Sequence, residues 1–132
     1  MMRSLGAFLS LPAAAFSVAA ATSLHAEPVT RTIIQEQPIE APQIRAVTAK
    51  TVITPGKGTP LHTHPGVEMA YVVQGSAALL IKGKPEWKLA SGDSFSVPRD
   101  TIHSIRNTGA GPLVIVSTYV VDKGQPLVIP AE

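Results

Sequence analysis

The chain has no cysteine among its 132 residues. Disulfide staples are therefore excluded, and the fold must rest on its own packing, on a metal ion or on association. The lack of a cysteine after the apolar opening stretch gives no support to a lipid anchor. A single arginine before that stretch gives none to the twin-arginine route. Charge of one sign is scarce as well. The formal net charge is +2, lysines and arginines are scattered among acids, and no basic run is present, so nucleic acid is not an expected partner. Beyond the opening stretch, no segment reads as a helix of useful length. Twelve prolines and ten glycines, most of them after residue 26, argue against one. Internal repeats are absent too.

What is present begins with the first 26 residues. One positive side chain, Arg3, precedes an uncharged stretch from Ala7 to Leu24 dominated by Ala, Leu, Phe and Val, and Ser23-Leu24-His25-Ala26 ends in a small residue. This is the layout of a secretory signal, with cleavage expected after Ala26 and Ala21 as the fallback. A retained membrane anchor competes, since a span needs roughly 20 apolar residues, but Pro12 and the many alanines make it a poor one. A buried helix of the domain is the third alternative. Cleavage leaves 106 residues with a net charge of +1, because Arg3 departs and no acid does. About 60–65 % of the unfolded surface of such a domain can be buried, enough for one core. The expected location is periplasmic or secreted, without stable membrane association once the signal is removed.

Residues 27–43 read as an extended, proline-punctuated lead-in, with a short edge strand possible at Ile33–Ile34. From residue 44 to 132 the pattern is all-β. Runs rich in Val, Ile, Thr and aromatics alternate with Gly, Pro and Asp turn signals. Strands are expected at Ile44–Thr54, Val67–Gln74, Ala77–Lys82, Glu86–Leu89, Ser94–Val97, His103–Asn107, Leu113–Val121 and Leu127–Ile129. Many short strands at close spacing predict a sandwich or a barrel. Trp87 reads as packing or an edge contact, and Lys82, Lys84 and Lys88 as a solvated hairpin surface.

Three of the four histidines stand at special places. His62 and His64 are separated by one residue, which in an extended chain turns both side chains to the same face. Glu68 follows across Pro65-Gly66, at the start of an apolar strand where a carboxylate is out of place unless its charge is compensated. His103 lies 35 residues further on, at the head of another strand. Imidazoles with a carboxylate make a mixed nitrogen and oxygen set that suits Mn, Fe, Co, Ni, Cu or Zn. Four protein ligands leave one or two coordination positions open for a substrate, water or dioxygen.

At these residues the sequence resembles the cupin family. Its first motif runs from Gly56 through His62, His64 and Glu68 to Gly75, with every fixed position matched. The second runs from Gly92 through Pro98 and His103 to Asn107, with one departure: Asp100 stands where the family usually has glycine. Aspartate tolerates the left-handed turn conformation better than most residues, so the turn is expected to survive. The resemblance covers residues 44 to 121. It implies a double-stranded β-helix, the jelly-roll-like cupin barrel, with one divalent metal ion at its mouth. The family's ligands carry over to His62, His64, Glu68 and His103. A homodimer is implied as well, and it would cover the edges of Leu113–Val121 and Leu127–Ile129, unless the lead-in does so.

Strand alternation from Glu68 predicts Ala70, Val72 and Gln74 inward, with Met69, Tyr71 and Val73 outward. Alternation from His103 predicts Ile105 and Asn107 inward. Glu68 is then the only ionisable group besides the histidines that can be placed inside, and any acid–base role falls to it. That weakens epimerase and lyase readings and leaves metal-centred chemistry. The resulting expectation is a metal-dependent oxidoreductase of dioxygenase type acting on a small organic substrate, similar to quercetinase-like cupins. The alternatives are a cupin that binds a small molecule or the metal without turnover, and a metal that merely staples the fold. For a site loaded outside the cytoplasm, the affinity order would favour Cu or Zn.

Overall fold

The computed structural model describes residues 27–41 and 43–132; the expected signal lies outside them. The described residues form ten strands and no helix. They are β1 (Val29–Pro38), β2 (Ile44–Ile53), β3 (His62–Thr63), β4 (Gly66–Gln74), β5 (Ser76–Ile81), β6 (Trp87–Ala90), β7 (Ser94–Val97), β8 (His103–Asn107), β9 (Leu113–Asp122) and β10 (Ile129–Pro130). Two five-stranded sheets result, ordered β1-β2-β9-β4-β7 and β10-β3-β8-β5-β6. Every pairing is antiparallel.

Period-two patterning builds the interior. Along β9, Leu113, Ile115, Ser117, Tyr119 and Val121 are buried, while the residues between them are only half-buried. The inward side chains form two apolar clusters. One includes Ile53, Val72, Leu79, Phe95, Leu113 and Ile115. The other joins Val47, Ala49, Tyr119 and Val121, with Leu127 packed against them. On β2 the order is Val47, Ala49, Thr51, Ile53, and on β9 it is Ile115, Ser117, Tyr119. Thr51 and Ser117, both buried, thus sit between the clusters. Glu68 pairs in register with Tyr119, and Ala70 with Ser117. A polar band therefore crosses an otherwise apolar interior, which costs free energy unless the groups find partners or a ligand. Gly66 lets β4 approach β9 here: a Cβ at this position would run into the Val120 carbonyl and the Val121 Cα.

Several expectations need correction. The lead-in is a ten-residue strand at a sheet edge, paired with β2 and bulged between Ile33 and Gln35. Gln74 does not point inward, because a bulge between Val72 and Gln74 breaks the alternation. Leu113–Val121 has no free edge to cover, since β9 lies between β2 and β4. His62 and Thr63 form a ladder of their own, too short for periodicity to reveal. The other faces expected from Glu68 and His103 hold. Met69, Tyr71 and Val73 are exposed, and His103, Ile105 and Asn107 are buried. Asp100 occupies the left-handed region at φ 56°, and its N–H donates to the His64 carbonyl at 3.1 Å.

Candidate metal centre

The two sheets bring four side chains to one point. His62 on β3 is the register partner of His103 on β8. Glu68 enters from β4 in the other sheet, between Val97 of β7 and Tyr119 of β9. His64 lies on the short link from β3 to β4. The three imidazole centroids are 4.3, 4.8 and 5.1 Å apart. All four residues are buried, so the structure places every site residue expected from the sequence in one cluster.

Each imidazole is oriented from behind. His62 Nδ1 lies 2.8 Å from the Pro60 carbonyl, and His103 Nδ1 lies 2.8 Å from that of Thr101. His64 Nδ1 reaches the Leu127 carbonyl at 2.6 Å. A carbonyl can only accept, so each Nδ1 carries a proton and Nε2 is the ring atom left to offer a lone pair inward. One nitrogen of each histidine lies within 4.8 Å of those of the other two, a triad positioned for a metal ion. Glu68 Oε2 is 3.2 Å from His64 Nε2 and 3.4 Å from His103 Nε2. His64 Nε2 is buried and completes no hydrogen bond. Lone pairs facing a carboxylate at these distances repel unless a proton or a cation stands between them. The donor set therefore fits a divalent transition metal ion.

The electrostatics agree. Burial, aided by His103, His64 and Arg31 and opposed by the bond to Pro60, lowers the pKa of His62 from 6.5 to about 4. His62 is therefore neutral at physiological pH. For Glu68, burial pushes the pKa up, but the His103, His64 and Ser117 side chains beside the carboxylate hold it well below the usual carboxylate range. Burial and the nearby Glu68 charge push the Tyr119 phenol up, which keeps it protonated.

The central cavity of about 20 Å³ is lined by His62, Glu68, His103, Ser117, Tyr119 and Arg31, among others. It has room for about one water-sized species. Two of these residues correct the expectation that Glu68 is the only further ionisable group inside. Tyr119 stacks edge-on against His64 at 4.8 Å. Alternation along Leu113–Val121 could have found it. Arg31 comes from β1, and nothing in the local sequence announces that it turns inward.

Comparison with known proteins bears on the fold and the family. A family model described as a cupin domain matches residues 49–126. The chain belongs to the cupin family. No curated protein matches it. Among solved structures, this cupin is similar to the DMSP lyase DddQ from Ruegeria pomeroyi DSS-3, with 22 % identity and a TM-score of 0.60 over 65 % of this chain and 43 % of that one. It is similar to the polyketide cyclase RemF from Streptomyces resistomycificus, with 18 % identity and a TM-score of 0.63 over 80 % and 72 % of the two chains. An oxalate oxidase matches at 22 % identity and a TM-score of 0.58, over 65 % and 46 %. The chain thus spans less than half of the lyase and the oxidase. At these identities the likeness is one of fold.

Proposed function

We propose that this cupin is a metal-dependent enzyme acting on a small organic substrate, with one divalent transition metal ion (Mn, Fe, Ni, Cu or Zn) held by His62, His64, Glu68 and His103. The observation that carries the proposal is the convergence of three imidazoles, each anchored at Nδ1, on a buried carboxylate. When bound, the ion supplies Lewis acidity toward an oxygen of the substrate or, if redox-active, electron exchange with dioxygen. The chain's own residues handle the proton. Tyr119 holds one beside Glu68 on the wall of the central cavity, where a substrate atom could receive it.

Tyr119 favours proton transfer on the substrate, which restores the lyase and epimerase readings that the sequence alone weakens. The oxidoreductase of dioxygenase type is the second reading, and the same donor set supports it. A lyase, a cyclase and an oxidase share the fold, so fold does not choose between them. The protein is read as exported, with residues 1–26 removed, to the periplasm or medium. The exposed Met69, Tyr71 and Val73 on β4 favour a homodimer.

The test is elemental analysis of protein purified from its exported location, followed by oxygen uptake and product analysis on phenols, flavonoids, diketones and small organic acids. Stoichiometric metal is expected, with turnover that Tyr119→Phe lowers roughly 100-fold or more while metal content stays constant. Metal without turnover of any substrate would assign the chain to the non-catalytic binders. Absence of metal at every loading would refute the proposal.

A further inference from the structure

Arg31 has no structural task that explains its position. Of the ten residues in β1, only Val29 and Arg31 are not exposed. These alternate residues face the mouth of the barrel, and Arg31 stands in register with the buried Thr51. Its Nε is buried without a hydrogen-bond partner. Arg31 takes part in none of the ion pairs among the described residues. A guanidinium is a rigid, permanently charged fork matched to a carboxylate. Turning one into a site that also attracts a cation costs free energy unless an anion joins both.

A second recess adjoins the central cavity. It has a volume of about 160 Å³, shares Arg31, Thr59 and His62 with that cavity, and is otherwise walled by apolar groups, including Val29, Leu61, Val128 and Pro130. A dry apolar cavity of about 150 Å³ accommodates a benzene ring. The recess therefore suits a body of roughly that size, with Arg31 at the junction.

We infer that Arg31 anchors the negative head of the ligand, and that the ligand is a carboxylate whose small apolar body fills the recess beside the metal centre. The inference rests on the proposed function for the ion only; the charge and the recess belong to the chain itself. It names a specificity residue and a substrate class.

The experiment measures binding of benzoate and of its neutral counterpart benzamide to the metal-loaded full chain by calorimetry, in wild type, Arg31→Gln and Arg31→Lys, with metal content determined for each. Wild type should bind benzoate more tightly than benzamide. Arg31→Gln should weaken benzoate roughly 10- to 100-fold, the worth of a charge-assisted contact, and weaken benzamide far less. Arg31→Lys should fall between, since it keeps the charge and loses the fork. Metal content should be equal in all three, because Arg31 is not among the proposed ligands and takes no part in the hydrogen bonds that anchor them. The inference is overturned if wild type does not bind benzoate, if Arg31→Gln leaves its affinity within about twofold, or if both probes weaken alike, the mark of a merely structural residue. Should Arg31→Gln not fold, the wild-type comparison and Arg31→Lys decide. If the protein holds no metal, the metal-centre proposal falls, and the same comparison in metal-free protein still decides for or against Arg31.

Discussion

Asn107 closes the second motif, four residues beyond His103 on the same strand, and the structure gives it a purely architectural task. It is 1 % exposed. Its Nδ2 donates to the Ile53 carbonyl at 2.9 Å and to the Gly111 carbonyl at 2.8 Å, and its Oδ1 accepts from the Gly109 N–H at 2.8 Å. One side chain thus ties the end of β8, the following turn and the end of β2. Asn107→Ala removes three hydrogen bonds, one buried and two part-buried, at about 1 kcal/mol each, so the expected loss is about 3 kcal/mol. For a domain of about 100 residues that is a fall in Tm of roughly 12–24 °C. Asn107→Asp is nearly isosteric, yet it replaces both donations with a carboxylate oxygen set against two carbonyls. It should destabilise at least as much. Calorimetry supplies Tm, and elemental analysis below the transition should find metal content unchanged in both variants. A Tm within about 5 °C of wild type would refute the network, and lost metal at unchanged Tm would move Asn107 into the chemistry.

Four further outcomes follow from the same geometry. His103→Ala should lose most of the bound metal, and chelation of wild type should lower Tm by roughly 10–20 °C, as expected for removing a ligand present at about 100 times its Kd. In the chelated protein, stability should fall as pH drops from about 6.5 to about 4, because the unfolded chain protonates His62 at 6.5 while burial holds the folded pKa near 4. A pH-independent Tm across that window would contradict the burial argument. Truncation after Gln125 removes the Leu127 carbonyl behind His64; metal affinity should fall roughly 10- to 100-fold, the usual cost of losing an orienting partner, and unchanged affinity would show that the C-terminal segment does not orient His64.

The four clustered side chains were legible because their signals are local. The spacing of His62, His64 and Glu68 survives without knowledge of the fold, and His103 heads a run with clean alternation. Asp100 was legible for the same reason, through a conformation its own side chain tolerates. What escaped lies in pairings between distant segments. The hydrogen bond from His64 ends on a backbone carbonyl 63 residues away, and a backbone atom leaves no mark in a sequence. Most of β1 is exposed on both faces, so no alternation announced its length or the inward turn of Arg31. Gln74 escaped because one bulge reverses every later parity on a strand.

The anchoring of the histidines also bears on the choice between a metal that builds the fold and a fold that builds a metal site. A structural staple is needed where the apolar core is too small to hold the chain. Among the described residues 16 apolar ones are buried, and each large one contributes on the order of 1.5–3 kcal/mol. They lie in clusters on both sides of the polar band. The imidazoles are held by the chain itself, His62 and His103 by carbonyls two residues upstream and by their shared ladder, His64 by the C-terminal segment. None of these constraints needs an ion. The unpaired His64 Nε2 and the carboxylate beside it are a cost of about 1–3 kcal/mol that the fold sustains before any ion arrives. A chelated protein should therefore remain folded, with a lower Tm and a cooperative transition. Loss of the folded state on chelation at 25 °C would reverse this ordering and make the ion part of the core.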